Sequence, residues 1–206
     1  QALQSFKKAL AIQPDHPDAL RWVAMLHASQ GELDQAVEAY ERLLAIEPDD
    51  PFIMSTLADL SVLQGELPRA VGLYQALIQT AGASSQLHFN LGVLYGRMNQ
   101  FDDALQELSR AYELSPDAVD VRVALGLTYE LSGQFDHAAA HYEEAVHLDS
   151  LNTRLYHHAA RAYYYAGRAA LSLARASRVG GPSVLDLAAR LLAADALRSL
   201  QRAPDA

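Results

Sequence analysis

The histidines are the residues of this sequence whose types and spacing come closest to a chemical site. His137 and His141 lie four residues apart in the stretch HAAAH. Two imidazoles at this spacing share one face of a helix and can bind one metal ion together. The stretch supplies no third ligand, and it lacks the glutamate that acts as general base in the H-E-x-x-H motif. A solvent-exposed helix face is the simpler interpretation, and we predict no metal site.

A second cluster of polar and aromatic side chains follows further along the chain. It consists of His157, His158, Arg161, Tyr164 and Tyr165. Arginine and protonated histidine both donate hydrogen bonds to carboxylates, so the cluster could bind an acidic or C-terminal group of a partner. An ordinary solvent-exposed surface, together with packing between helices near the end of the chain, accounts equally well for residues of these types. The sequence does not separate these two interpretations.

No other group of residues has the spacing of a catalytic site. The serines lack a G-x-S-x-G context, and no glycine-rich loop resembles a phosphate cradle. The absence of cysteine excludes thiolate nucleophiles, disulfides and cysteine-ligated zinc. The dipeptide Gly180-Gly181, followed by Pro182 and Ser183, is typical of a turn and a helix cap. We therefore predict no catalytic residues, no cofactor and no enzymatic activity.

Composition limits the kinds of partner. The 206 residues carry a formal net charge of −9 and no basic stripe, so we expect no nucleic-acid partner. No window approaches the roughly 18 to 20 continuous apolar residues of a membrane span. The N-terminal stretch QALQSFKKALAI has no initiator methionine and no features of a signal peptide, and it reads as the middle of a longer protein. The compartment, cytoplasm or periplasm, is left open.

The elements that position these residues follow from an internal repeat. Pro14, Pro48 and Pro116 have the similar contexts AIQPD, AIEPD and ELSPD, and their spacings are 34 and 68 residues, one and two periods. Three further series keep the same period: Ala2, Ala36, Ala70, Ala104 and Ala138; Phe6, Tyr40, Tyr74, Leu108 and Tyr142; and Gly31, Gly65, Asn99, Gly133 and Gly167. Because glycine and asparagine tolerate the left-handed conformation that ends a helix, the third series predicts a turn inside each repeat.

These residues resemble the tetratricopeptide repeat family, whose pattern is W-x2-L-G-x2-Y, then A-x3-F, then P. The best first-helix matches are His88-x2-Leu91-Gly92-x2-Tyr95 and Arg122-x2-Leu125-Gly126-x2-Tyr129. No repeat carries the tryptophan of the first place. Small residues at the glycine place let the two helices of a repeat approach closely, and large ones fill the space between repeats.

The resemblance implies an all-α fold, an α-solenoid of stacked antiparallel helix pairs that forms a right-handed superhelix. We expect the array at residues 1–178, with a partial repeat at 1–16 and repeats at 17–50, 51–84, 85–118, 119–152 and 153–178. Residues 179–206 are predicted to form a capping helix and a tail. That helix would begin at Ser183 and place Val184, Leu187, Leu191 and Leu197 near one face.

In this family the first helix of each pair lines the concave wall. The corresponding residues here are Arg21, Trp22, Met25, Phe52, Ser55, Thr56, Asp59, Phe89, Asn90, Val93, Arg97, Val123, Leu127, Glu130, Arg154, His157, His158 and Arg161. An apolar strip with polar ends usually marks a binding site. Four of these residues form the apolar middle: Phe89, Val93, Val123 and Leu127. For Val123 and Leu127, packing against neighbouring first helices is the alternative.

We predict that a peptide or protein segment lays an apolar side chain on this strip. Asn90 would hydrogen-bond its backbone, because an amide both donates and accepts. Arg97 and the cluster of His157, His158 and Arg161 would attract its acidic groups.

The resulting function is that of a protein-protein interaction scaffold or adaptor. Two alternatives stay open: a self-associating structural array, and an accessory segment of a larger enzyme or of an export or assembly machine. Helix 1–12 carries Leu3, Phe6, Leu10 and Ile12 without the first helix of its own repeat, which favours a homo-oligomer through the open N-terminal end.

Overall fold

The computed structural model describes residues 2–179 and 184–202, and within these ranges all regular structure is helical. The twelve helices are α1 (Ala2–Ile12), α2 (Pro17–Ser29), α3 (Leu33–Ile46), α4 (Pro51–Gln64), α5 (Leu67–Ala81), α6 (Ser85–Arg97), α7 (Phe101–Leu114), α8 (Val119–Leu131), α9 (Phe135–Leu148), α10 (Thr153–Tyr165), α11 (Ala169–Ala176) and α12 (Val184–Arg202). We call α2, α4, α6, α8 and α10 first helices and those that follow them second helices. The described ranges contain no helix that is both long and apolar enough to cross a membrane.

The turns between paired helices have the backbone conformation that the glycine series predicts. Each member of the series has a positive φ: Gly31, Gly65, Asn99, Gly133 and Gly167. At Gly65 (φ 81°) the chain leaves α4, and the next N–H, that of Glu66, donates to the carbonyl of Ser61 at 2.8 Å. A residue with a Cβ adopts this conformation only at a cost, which explains the restriction to glycine and asparagine.

Residues 1–94 form one compact unit, unit 1. Its first helices begin at side-chain caps: the Asp50 carboxylate accepts from the N–H of Phe52 at 2.8 Å, and Pro51 takes the first helical position, which needs no donor. Ala36 and Tyr40, members of two of the repeat series, are buried in the core between α2, α3 and α4. Phe6 and Leu10 of α1 pack against that core while Ile12 is exposed. The side chain of Leu3 lies outside the described residues.

Residues 95–206 form the other compact unit, unit 2. Here α8 packs on α9, α9 on α10, and α10 on α11. Gly126 of α8 faces the fully buried ring of Tyr142 on α9, so the small residue allows the close approach that the repeat pattern indicates.

Helix α12 packs on α10 and α11 at the end of unit 2. Its Ala189 is buried with Ala160 and Ala176, and Leu192 packs against them. Leu191 and Leu197 are exposed. The predicted Ser183 cap, the turn at 180–182, the side chains of Val184 and Leu187 and the tail 203–206 lie outside the described residues. The succession of helices, packed on their neighbours within each unit, confirms the predicted fold class of an all-α solenoid.

Candidate protein-interaction surfaces

Three of the predicted binding residues lie on the part of α6 that belongs to unit 1. Phe89 and Asn90 are half-buried, and Val93 is exposed. The side-chain oxygen of Asn90 accepts from Nε2 of Gln86 at 2.8 Å. Its side chain also hydrogen-bonds the hydroxyl of Tyr74. Asn90 is therefore held by neighbours of its own unit, with only part of its hydrogen-bonding capacity open to a partner.

The Tyr74 hydroxyl joins this contact to a second first helix. It donates to Oδ1 of Asp59, which lies on α4 and is exposed. Burial of the phenol, and then the neighbouring Asp59 carboxylate, raise the pKa of Tyr74. The hydroxyl therefore stays neutral and keeps Asp59 in place as an acceptor.

In unit 2 the two predicted apolar residues of α8 have different surroundings. Val123 is partly buried and packs against the clusters around Tyr142 and Leu155. Leu127 is 42% exposed. Arg97, in the last turn of α6, is exposed, and no described contact joins it to the cluster on α10. Leu127 is thus the apolar surface residue of α8, while Val123 contributes mainly to packing.

The predicted cluster on α10 is built around an arginine that already has a partner. Arg161 forms an ion pair with Glu130 of α8: its Nη2 donates to Oε2 at 3.0 Å, and its Nε lies 2.7 Å from Oε1. The Tyr142 hydroxyl donates to the same carboxylate at 3.1 Å. Hydrogen bonds between an arginine and a carboxylate are among the stronger polar contacts in proteins. Glu130 consequently neutralises much of the charge that Arg161 could offer to a partner.

The two histidines of the cluster are differently placed. His158 stacks on the ring of Tyr142, with centroids 5.1 Å apart, and its Nδ1 lies 3.5 Å from Nη2 of Arg161. His157 is buried. Burial, and then the positive charge of Arg161, lower the pKa of both imidazoles below the ordinary 6.5, so both are neutral at pH 7.

Arg154 completes this face of α10, one turn before His158. It is exposed, and its positive charge contributes to the lowered pKa of His158. No ion pair of Arg154 occurs among the described residues. Arg154 is therefore the cation of the cluster that is most available to an acidic group.

The histidines of the HAAAH stretch belong to a stacked aromatic cluster. The rings of His137 and His141 both stack on Tyr129, with centroid distances of 5.2 and 5.4 Å. Arg122, which is buried, lies over the ring of Tyr112 and pairs with Glu144 of α9 at 3.2 Å. The part of the chain that the structure describes contains no group of three His, Cys, Asp or Glu side chains arranged to hold a metal.

Two contacts of the site were not assigned from the sequence. The repeat pattern puts Glu130 on the first-helix face without indicating a role, and it indicates only a packing role for Tyr142. A signal for the pair does exist: Glu130 and Arg161 are 31 residues apart, close to one repeat, and the ion pairs Arg175–Glu143 and Arg168–Asp136 are separated by 32. Opposite charges about one period apart therefore indicate cross-repeat pairing in this chain.

Comparison with known families agrees with the repeat. Models described as tetratricopeptide repeat match residues 1–60, 27–91 and 89–153. The chain belongs to the tetratricopeptide repeat family. The resemblance inferred from the 34-residue period is thus confirmed, and the matches extend over residues 1–153 of 206. A search of curated proteins found no match.

Several solved structures have a similar fold. The crystal structure of MamA protein is 19% identical with a TM-score of 0.70, and the match covers 92% of this chain and 96% of that one. The structure of YrrB, described as a TPR protein with an unusual peptide-binding site, is 18% identical with a TM-score of 0.69, covering 97% and 98%. A tetratricopeptide repeat protein from Parabacteroides merdae is 20% identical with a TM-score of 0.73, covering 97% and 83%.

Proposed function

We propose that this tetratricopeptide repeat protein is an interaction scaffold that acts by binding a peptide segment rather than by catalysis. The observation that carries the proposal is the exposed Leu127 on α8 together with the basic face of α10. An apolar contact beside hydrogen-bond donors for a carboxylate is a common arrangement for holding a peptide. The description of the similar YrrB structure as having a peptide-binding site supports the same class of function.

The ligand favoured in unit 2 is a segment with one apolar side chain and one carboxylate. The apolar side chain would cover Leu127, and the carboxylate would bind Arg154 first. Arg161 would contribute only as far as the partner competes with Glu130. Neutral His158 would offer one N–H donor but no positive charge. This order follows from the ion pair of Arg161 and from the lowered pKa of His158.

The predicted residues of unit 1, Phe89, Asn90 and Val93, stay part of the proposal as a separate contact. Val93 is the exposed apolar member. Phe89 is half-buried, so its replacement would change both packing and binding. Leu127 is the better test residue because a partly exposed leucine contributes less to the core.

The test uses short leucine-containing peptides in two forms, one with a free C-terminal carboxylate and one amidated, measured by calorimetry. We expect the free acids to bind more tightly, because only they offer an anion to Arg154. Leu127→Ala should weaken the binding of both forms by the same amount, about 1 to 2 kcal/mol, as expected of a central contact. Arg154→Gln should remove the difference between the forms.

Two matched variants serve as controls. Leu114 is a 52% exposed leucine on the second helix α7, and Arg178 is an exposed arginine beyond α11. Leu114→Ala and Arg178→Gln should leave both affinities unchanged. Glu130→Gln should raise the affinity for the free acids, because Arg161 then lacks an anionic partner. Equal binding of acid and amide, or equal losses in Leu114→Ala and Leu127→Ala, would contradict the proposal.

A further inference from the structure

A group of large apolar side chains is exposed on the first helices of unit 1. Trp22 and Met25 of α2 are 51% and 42% exposed, and Phe52 of α4 is 51% exposed. Trp22 and Met25 are three residues apart and therefore share one helix face. Phe52 lies at the start of α4, which the Arg21–Asp50 ion pair joins to α2. Large apolar residues exposed on two joined helices, in contrast to single scattered ones, indicate an interaction site. We call these three residues the Trp22 surface.

The Trp22 surface is held in place from both sides. Phe6 of α1 stacks on the Trp22 ring, with centroids 5.9 Å apart and planes 9° from parallel. Arg21 ties α2 to the start of α4 through ion pairs with Glu47 at 2.6 Å and Asp50 at 3.3 Å. Because Asp50 is also the cap that accepts from the N–H of Phe52, the same contacts position Phe52. Side chains that are already ordered lose little entropy when a ligand binds.

The charge around the Trp22 surface is negative. Arg21 faces two carboxylates, which leaves an excess of one negative charge, and the exposed Asp59 lies two turns after Phe52 on α4. Residues 1–94 contain 11 acidic and five basic residues, so unit 1 carries −6 of the net charge of −9. Such a field attracts cationic ligands and repels anionic ones.

We propose that the Trp22 surface binds a basic segment of a partner protein, one in which an apolar side chain is flanked by lysine or arginine. The apolar side chain packs on Met25 and Phe52. A flanking cation lies over the face of Trp22, because tryptophan gives the strongest cation–π attraction of the aromatic side chains. Another flanking cation pairs with Asp59. This inference extends the proposed scaffold function to a second surface with the opposite charge preference, and it does not depend on the carboxylate site of unit 2.

The chain offers a direct reporter for this surface, because Trp22 is its only tryptophan. The probes are two tryptophan-free peptides of equal length, one with leucine flanked by lysines and one with leucine flanked by glutamates. We expect the lysine peptide to change the emission of Trp22 saturably and to bind roughly tenfold more tightly than the glutamate peptide. Raising the salt concentration should reduce that preference.

Variants locate the contact. Phe52→Ala should weaken binding of the lysine peptide by about tenfold or more. Met25→Ala provides a second test if circular dichroism shows that Phe52→Ala affects folding. Asp59→Asn should reduce the preference for lysine while keeping an acceptor for Tyr74. Ile46→Ala, which changes a 39% exposed residue at the end of the second helix α3, is the matched control and should bind as the parent does.

Several results would overturn the inference. The first is binding of the glutamate peptide as tight as that of the lysine peptide, or tighter. The second is unchanged affinity for the lysine peptide in both Phe52→Ala and Met25→Ala. The third is a dimer in light scattering that Phe52→Ala converts to a monomer, because a second copy of the chain would then occupy the Trp22 surface. A loss of lysine-peptide binding in Leu127→Ala would assign the peptide to unit 2 instead. Failure of the acid-and-amide test in unit 2 leaves these outcomes unaffected.

Discussion

At the scale of single residues, Gly126 shows why one place in the repeat requires a small residue. A Cβ at Gly126 would lie 2.6 to 2.9 Å from three atoms of the Tyr142 ring. That ring is fully buried, and its hydroxyl is fixed by Glu130. Neither side of the contact can move away without disturbing the packing of α8 on α9.

We therefore expect Gly126→Ala to lower the free energy of unfolding by about 1 to 3 kcal/mol, the range typical of an overpacked core. Urea unfolding followed by circular dichroism measures the effect. The matched substitution is Gly72→Ala in α5, where a Cβ would meet no heavy atom within 4 Å. Because alanine is the better helix former, Gly72→Ala should stabilise the protein by about 0.5 to 1 kcal/mol. An unchanged free energy of unfolding in Gly126→Ala would contradict the prediction, because α8 and α9 would then be able to move apart without cost.

At the scale of elements, α9 and α10 carry three histidines whose pKa values are lowered in the folded state: His141, His157 and His158. Burial is the main cause for each. The cations facing them are Arg122 for the first and Arg161 for the other two. Protonation would bring an imidazolium close to an arginine in a largely buried position, so folding favours the neutral rings.

The sign of the pH dependence follows from these shifts. The unfolded chain has ordinary histidines of pKa about 6.5, so below that pH it binds more protons than the folded chain does. Stability from these residues is present above pH 6.5 and is lost as the pH falls through the lower folded values. We expect the urea midpoint to decrease between about pH 7 and pH 5. The decrease should be smaller in His158→Gln, and an equal decrease in that variant would contradict the assignment to His158.

At the scale of the whole molecule, the regular secondary structure of the described residues is entirely helical, and the sequence repeats one helix pair. We expect a far-ultraviolet circular dichroism spectrum of pure α-helical type from the full chain. Its melting should leave no β-sheet signal, and a β-sheet contribution before heating would contradict the fold.

Charge is distributed unevenly over the chain, and the binding proposals for the two candidate surfaces differ in the charge that they favour. Unit 1 carries most of the negative charge, and the Trp22 surface lies there. The face of α10 in unit 2 presents Arg154 and Arg161. Binding proteins discriminate between partners partly by repelling the wrong charge, so under these proposals each surface would disfavour the segment that the other one binds.

The sequence by itself determined the helix pairs, the turns and the family. The 34-residue period is a local pattern: glycine or asparagine must stand where φ is positive, and a small residue must stand where Tyr142 approaches Gly126. Each such rule can be read from one residue and its place in the repeat. Confirmation of the fold and of the turns at Gly65 and Asn99 reflects this local origin.

Only the tertiary structure decided which side chains of the candidate site are free. Arg161 is neutralised by Glu130, Asn90 is held by Gln86, and Val123 is packed while Leu127 is exposed. These differences depend on how closely one helix approaches the next, over distances of a few ångströms, and the repeat pattern does not specify that approach. Residues at equivalent places of the repeat therefore differ in what they can offer to a partner.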